Sequence, residues 1–244
     1  MIKRLLTGWI PDSFKQEFKI KLGAPHMYWS IANLRRNGLN ATQLIDIGAY
    51  KGEWTHDVLK IFPGGRYLML EANPEREKDL AAFVASHPKG KISYEIALMG
   101  SRSGEKKAFH VMDTASSVLD EHGGGDSKKI DLITYTLDEL AEKNGFDNVS
   151  LLKLDVQGYE LEILKGGPKV LAKTEAVLME VSLLDVHKDV PLIREVLNFM
   201  QGYGFVAYDI CSVAARRPLD RALWQTDVIF VKEDSKYRSN KSFS

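Results

Sequence analysis

The chain has 244 residues, 44% hydrophobic and 27% charged, which suits an ordinary globular protein built as one large domain or two small ones. Thirty-three Lys and Arg offset thirty-three Asp and Glu, so binding of nucleic acid by bulk phosphate attraction is not expected. A single cysteine, Cys211, excludes an intramolecular disulfide framework and a Cys-based zinc site, and no run of about 18 apolar residues is present to span a bilayer.

Residues 1–40 read as a helical extension or lid, with Trp9, Phe14, Phe18, Leu22 and Trp29 as its apolar residues. Phe14, Phe18 and Leu22 fall on one helical face. That face packs on the domain or lids its cleft in one reading. In the other it meets a membrane surface or a second copy of the chain, giving a homodimer through the N-terminal helices. Lys3, Arg4, Lys15, Lys19 and Lys21 favour the second reading. The opening, Met1 to Pro11, has too short an apolar stretch for a signal peptide, and the expected location is cytoplasmic.

From residue 41 short apolar runs alternate with amphipathic stretches. Leu44–Ile47 reads as a strand, Glu53–Phe62 as a helix, and Tyr67–Leu70 as a second strand. A helix opened by Pro74 follows and ends at Ser86-His87-Pro88, and Ile92–Leu98 is a third strand. Met112–Lys129, with Gly123-Gly124-Gly125, reads as a mobile loop, either a lid or a plain surface excursion. Leu151–Asp155 is the next strand, and the helix from Tyr159 to Leu164 stops at Gly166-Gly167-Pro168. Ala176–Val181 is a strand, Pro191–Gln201 a helix, and Phe205–Ile210 and Asp227–Val231 the last strands. This rhythm implies parallel βαβ units, hence an α/β sheet with helices on both faces. Cys211, after a strand, reads as a buried small apolar residue.

The most informative stretch is Leu44-Ile-Asp-Ile-Gly-Ala-Tyr-Lys-Gly52, a strand running into a glycine loop and then a helix. In that geometry backbone N–H groups meet a ligand at the strand's carboxyl end. A dinucleotide fingerprint would need glycine at 50 and 53, where Tyr50 and Glu53 stand, and no phosphate-binding G-x-x-x-x-G-K-[ST] run is present. The pattern is D-x-G-x-x-x-G instead, in which Asp46 would repel a pyrophosphate but suits an ammonium group. The second strand ends in Glu71-Ala-Asn-Pro74. An acid there is placed to hold ribose hydroxyls, although it is also favourable as a plain exposed acid near a helix N-terminus. Asp46 and Glu71 together favour a ligand of cationic character, such as a sulfonium with an α-amino group.

With these residues the chain resembles a class I S-adenosylmethionine-dependent methyltransferase, and specifically the FkbM family. The general class is carried by Asp46-Ile-Gly-Ala-Tyr-Lys-Gly52 and Glu71. The family is carried by Glu71-Ala-Asn-Pro74, Ile96-Ala-Leu98 before Gly104, and Thr136-Leu-Asp-Glu-Leu140. The block from Leu152 to Gly166 carries it further, being similar to the family's K-x-D-x-E-G-x-E-x-x-x-L-x-G pattern. Gln157 departs from that pattern, standing where many members have Glu. The resemblance covers about residues 40–232. It implies a Rossmann-like seven-stranded, mostly parallel sheet with an antiparallel last strand, in a domain of residues 41–234 followed by a tail, 235–244.

The cofactor implied is S-adenosyl-L-methionine. The resemblance places Asp46, Gly48 and Gly52 at its methionine portion and Glu71 at the ribose. Ala72 and Ile96-Ala97 approach the adenine, Ala49 and Asn73 also belong to the cofactor-binding residues, and Asp155 lies beside the donor methyl. Methyl transfer to an oxygen needs an aligned acceptor, exclusion of water and a group to take a proton. Lys153, Asp155 and Glu180 are the catalytic candidates. Lys153 and Asp155 point to the same face of their strand, which also suits a structural ion pair. Glu180 and His187 stand next on the cleft rim, with His187 expected as an exposed loop residue. Ser116-Ser117 suits a local turn bond or a ligand contact. No histidine stands in metal-ligand spacing, and no metal is expected.

The function expected is O-methylation of a small hydroxylated metabolite or of a sugar in a glycan. The alternative is a noncatalytic nucleoside-binding or assembly protein that keeps the fold, with a nicotinamide oxidoreductase a distant third because of the glycine spacing. The acceptor's identity is not readable from the residues.

Overall fold

A computed structural model describes residues 23–111, 116–119, 128–213 and 215–242 of the chain. Its central strands are short and apolar because they are covered on both faces, as a parallel sheet between helical layers requires. In β1 (Gln43–Ile47) every residue after Gln43 is buried, and in β7 (Leu151–Leu154) all are. Successive side chains point to opposite faces. Leu44, Leu151 and Leu178 pack with α1 (Met27–Arg36), α2 (Glu53–Ile61) and α3 (Glu77–Ala85). Ile45, Ile47, Leu152 and Leu154 pack on the other face with α4 (Leu137–Lys143), α5 (Glu160–Lys165), α6 (Pro168–Lys173) and α7 (Ile193–Gly202).

The remaining main strands are β2 (Arg66–Glu71), β3 (Ile92–Ile96), β8 (Ala176–Ser182), β9 (Phe205–Ile210) and β10 (Gln225–Lys232). Among the described residues the main sheet has seven strands in the order β3-β2-β1-β7-β8-β10-β9. β10 runs antiparallel to both its neighbours and the other pairs are parallel. This is the expected seven-stranded sheet with an antiparallel last strand. The chain leaves β1 towards β2 and β3, and leaves β7 towards β8. The adjacent pair β1 and β7 is therefore the switch point, where such sheets open a crevice beyond the strands' carboxyl ends.

The third strand is shorter than its sequence suggests. Ala97 donates its N–H to Glu71 O at 2.8 Å. The chain then leaves the main sheet as β4 (Leu98–Met99), which pairs with β6 (Lys128–Tyr135), itself paired with β5 (Lys106–Val111). This small sheet was not expected. It also corrects the end of the supposed loop Met112–Lys129, because Lys128 and Lys129 belong to β6. Within that loop Ser117 bridges His110; residues 112–115 and 120–127, with the glycine triplet, lie outside the described residues. So do Phe14, Phe18, Leu22 and the N-terminal lysines.

α1 is docked through Ile31 and Leu34, both closed to solvent. At the other terminus Tyr237 is buried, and its hydroxyl donates to Glu175 Oε2 at 2.7 Å. Cys211 is buried as expected.

Candidate active site

The carboxyl ends of β1, β2, β3 and β7 surround a cavity of ≈ 370 Å³, a size ordinary for small-molecule sites. Each strand sends its following residues into the wall: Gly48–Tyr50 after β1, Glu71–Asn73 around the end of β2, Ala97 after β3, and Asp155–Gln157 after β7. Phe109 of β5, the segment Ser116–Val118, and Tyr159 and Ile163 next to and on α5 add further wall. Met27 and Tyr28 at the start of α1 and Trp54 of α2 complete it.

Gly48 shows why the first loop is glycine-rich. Its φ is 73°, and a Cβ there would stand 1.9 Å from the carbonyl oxygen of Asp155. The glycine thus lets the loops after β1 and β7 touch and close the base of the cavity. The loop's N–H groups are used within the protein. Those of Gly48 and Ala49 donate to Leu70 O at 2.9 and 3.2 Å, that of Gly52 to Ala49 O at 2.7 Å, and that of Tyr50 to Glu71 Oε2 at 2.8 Å. The expected row of N–H donors facing a ligand is therefore spent on fixing the loop itself.

Asp46 lies behind the wall. It is 1% exposed, its Oδ1 stands 3.0 Å from Lys153 Nζ, and its Oδ2 accepts from the Thr55 hydroxyl at 2.8 Å. Lys153 also donates to Gly48 O at 2.8 Å and reaches Asp155 Oδ2 at 3.8 Å. Burial alone would lower the Lys153 pKa, but Asp46, then Asp155, and Glu71 outweigh it and hold the amine above its ordinary value. The ammonium is a fixed cation under the loop. Gly52 also sits behind the wall, at the start of α2, where a Cβ would meet Met69 and Phe83 side-chain atoms at 3.2 Å.

Glu71 is buried at the end of β2 and faces the cavity. Its oxygens accept one N–H each, from Tyr50 and Asn73, both at 2.8 Å. A carboxylate oxygen has a second lone pair, so Glu71 can accept further bonds from a ligand. Burial raises its pKa, against the pull of the Asn73 and Tyr50 N–H groups.

The third cluster lies past β7. Asp155 lines the cavity with a side chain 42% exposed, and its Oδ1 accepts from Gln157 Nε2 at 3.2 Å. The same amide nitrogen donates to Glu180 Oε2 at 3.0 Å, and the other Glu180 oxygen accepts from Gln225. Burial pushes the Glu180 carboxyl up to about 9, helped by Asp155, Glu160 and Asp227. Glu160 is buried and accepts the N–H groups of Val156 and Gly158 at 3.1 and 3.2 Å, shaping the turn that carries Gln157. Burial raises its carboxyl to about 7.

Of the residues singled out in the sequence, Gly48, Ala49, Glu71, Ala72, Asn73, Ala97, Lys153 and Asp155 share the cavity wall. Asp46 and Gly52 support it from behind, and Glu180 joins through Gln157. His187 is a correction: expected to be an exposed loop residue, it is 4% exposed, in a loop held by the Ser182–Leu192 bridge and by Leu183 N–H on Trp224 O at 2.8 Å. Sequence reasoning missed Tyr28, Trp54, Phe109, Tyr159 and Ile163. Trp54 follows the glycine loop by two residues, a usable signal, whereas Phe109 comes from an unforeseen strand. Among the described residues no group of three or more His, Cys, Asp or Glu could hold a metal ion.

Comparison with known proteins decides the family. The family model for the methyltransferase FkbM domain matches residues 46–207. The chain belongs to the FkbM methyltransferase family. The match begins at Asp46 and takes in every strand-end residue of the cavity named above, from β1 to β7. A curated relative, the 2-O-methyltransferase NoeI of Sinorhizobium fredii (strain NBRC 101917 / NGR234), is 28% identical over 78 residues, 32% of this chain and 32% of that protein. The crystal structure of methyltransferase FkbM from Methylobacillus flagellatus KT superposes with a TM-score of 0.52 at 16% identity, over 78% of this chain and 44% of that one. The second likeness is one of fold. The matched parts make up less than half of either relative.

Proposed function

We propose that the chain is an S-adenosylmethionine-dependent O-methyltransferase acting on a hydroxyl of a small metabolite or of a sugar in a larger glycan. The observation that carries this reading is one cavity with the Glu71 carboxylate on one strand end, the Asp155 carboxylate on another, and an apolar wall of Ala72, Ala97, Phe109, Val118 and Ile163. Such a donor set fits an adenosine carrying a sulfonium: acceptors for ribose hydroxyls, apolar surface for a purine, and negative charge for the sulfonium. When bound, the cofactor supplies a methyl group already activated for displacement, so the chain needs no nucleophile of its own.

The protein's part is then to bind, align and exclude water. Glu71 accepts hydroxyl hydrogens, and its two backbone N–H partners keep it from turning away. Met27, Tyr28 and Ser116–Val118 line the cavity and narrow the space left for water. Asp155 orients the acceptor hydroxyl and accepts its proton as the hydroxyl takes the methyl group. Lys153 stands 3.8 Å from Asp155 Oδ2 and limits how far the carboxylate can turn away from the cavity. Glu180, raised to about 9, holds its proton at neutral pH and cannot serve as the base there. The name of NoeI, a 2-O-methyltransferase, supports oxygen as the acceptor atom.

The test is an acceptor screen with methyl-labelled donor, followed by turnover of Asp155→Asn on the best acceptor. The reading expects a loss on the order of 10²-fold or more, the scale of a positioned proton-transfer group, with affinity for S-adenosylhomocysteine little changed. Wild-type turnover by Asp155→Asn alongside an inactive Glu180→Gln would move the role to Glu180.

A further inference from the structure

Gln157 stands where the family pattern has an acid, and its side chain does something an acid could not. One amide nitrogen donates to Asp155 Oδ1 at 3.2 Å and to Glu180 Oε2 at 3.0 Å, tying the ends of two neighbouring strands. A carboxylate at 157 would have no hydrogen to give and would crowd a further acid against these two. We propose that Gln157 is a positioning residue that fixes the Asp155 carboxylate beside the reacting methyl group by tying it to Glu180. This rests on the reading of the cavity as the S-adenosylmethionine site.

The amide is itself well anchored. Gln157 has a left-handed backbone, φ 56°, a strained state for a residue with a Cβ. It is held there because Glu160 Oε1 binds the N–H groups on either side, of Val156 and Gly158. The Ser117 hydroxyl adds a bond to the Gln157 carbonyl at 3.2 Å. With Lys153 standing 3.8 Å from Oδ2 and Gln157 on Oδ1, both oxygens of a side chain that is 42% exposed have a fixed neighbour. Without the amide only Lys153 constrains the carboxylate, and it is free to turn toward solvent.

The tie also shares charge. Glu180 is faced by Asp155 and Lys153 from β7 and the turn after it, by Glu160 from α5, and by Asp227 from β10, which is opposite it in register. Burial and these acids keep it protonated near neutral pH. Glu180 therefore adds a negative charge next to Asp155 only in alkali.

S-adenosylmethionine and S-adenosylhomocysteine differ by the methyl group and its positive charge, so the ratio of their affinities reads the negative charge held beside the sulfur. Calorimetric titration of both ligands into the full chain from pH 6.5 to 9.5 tests the proposal without an acceptor. In Gln157→Met, S-adenosylmethionine should lose about three- to tenfold more affinity than S-adenosylhomocysteine, the scale of one ordinary hydrogen bond. The preference for S-adenosylmethionine should rise toward pH 9 more steeply in the wild type than in Glu180→Gln, a comparison in which titration of the ligands' own α-amino groups cancels. Equal losses for the two ligands in Gln157→Met mean a merely structural role and overturn the proposal. An unmoved ratio in that variant, or the same pH dependence in Glu180→Gln as in the wild type, overturns it as well. If neither ligand binds the wild type, the cavity reading itself fails, an outcome separate from wild-type binding with an unmoved ratio.

Discussion

Lys153 and Asp46 are paired where water cannot reach them, at 6% and 1% side-chain exposure, so removing either alone strands a buried charge. Asp46→Asn or Lys153→Met should each cost about 3–5 kcal/mol of folding stability. The double variant should cost clearly less than the sum, because it buries no unpaired charge. Urea denaturation of the four proteins checks this, and simple additivity would mean the pair is not coupled. Glu160 gives a second expectation with a definite sign. Its folded pKa, pushed up by burial to about 7, lies above the ordinary glutamate value of 4.5, so the folded state binds the extra proton between those values and stability falls as pH rises through that window. Glu160→Gln removes the titration while keeping an oxygen for the Val156 and Gly158 N–H groups. Relative to the wild type it should therefore gain stability at pH 8 compared with pH 5. An equal difference at both pH values would place the titration elsewhere. At this scale the sequence marked Asp46, Glu71, Lys153 and Asp155 as the chemically loaded positions. It could not separate Asp46 from the cavity wall, because period-two alternation shows which face a strand residue takes, not what packs above it.

The elements divide by how fully they are buried. β1, β2, β7 and β8 read clearly because an apolar run buried on both faces has few alternative structures. β5 and β6 did not, because each buries only one residue, Phe109 and Thr134, among lysines and other polar groups. α6 hid behind Gly166-Gly167-Pro168, which looked like a stop. Gly166 caps the end of one helix while Gly167 and Pro168 start the next, with the Asp138 carboxylate accepting the N–H groups of Lys169 and Val170 at 3.1 and 2.9 Å. The two glycines around the first loop make a testable contrast at this scale. At Gly48 a Cβ meets backbone at 1.9 Å, while at Gly52, also at positive φ, it meets side-chain atoms that can shift, at 3.2 Å. Both Ala variants carry the left-handed strain of about 1–2 kcal/mol. Gly48→Ala must in addition push the loops after β1 and β7 apart, so it should be the less stable of the two and should lose cofactor binding. Equal melting of the two variants would contradict the close approach of those loops.

For the molecule as a whole, the sheet order places β1 beside β7, and the strand ends that converge there supply the cavity. The alternation of strands and helices made that architecture legible. The closing pieces were not: Met27 and Tyr28 come from a helix joined to the domain by packing, and Phe109 from a sheet with little apolar pattern. The central claim is that this cavity takes a nucleoside whose ribose is held by Glu71. Calorimetric titration of S-adenosylhomocysteine into the wild type and Glu71→Ala, with a chelator present, tests it most directly. The wild type should bind, and Glu71→Ala should bind more weakly by about 1–3 kcal/mol, the range for hydrogen bonds to a charged group. Unchanged affinity in Glu71→Ala, or a wild type that prefers NAD(H), would contradict it.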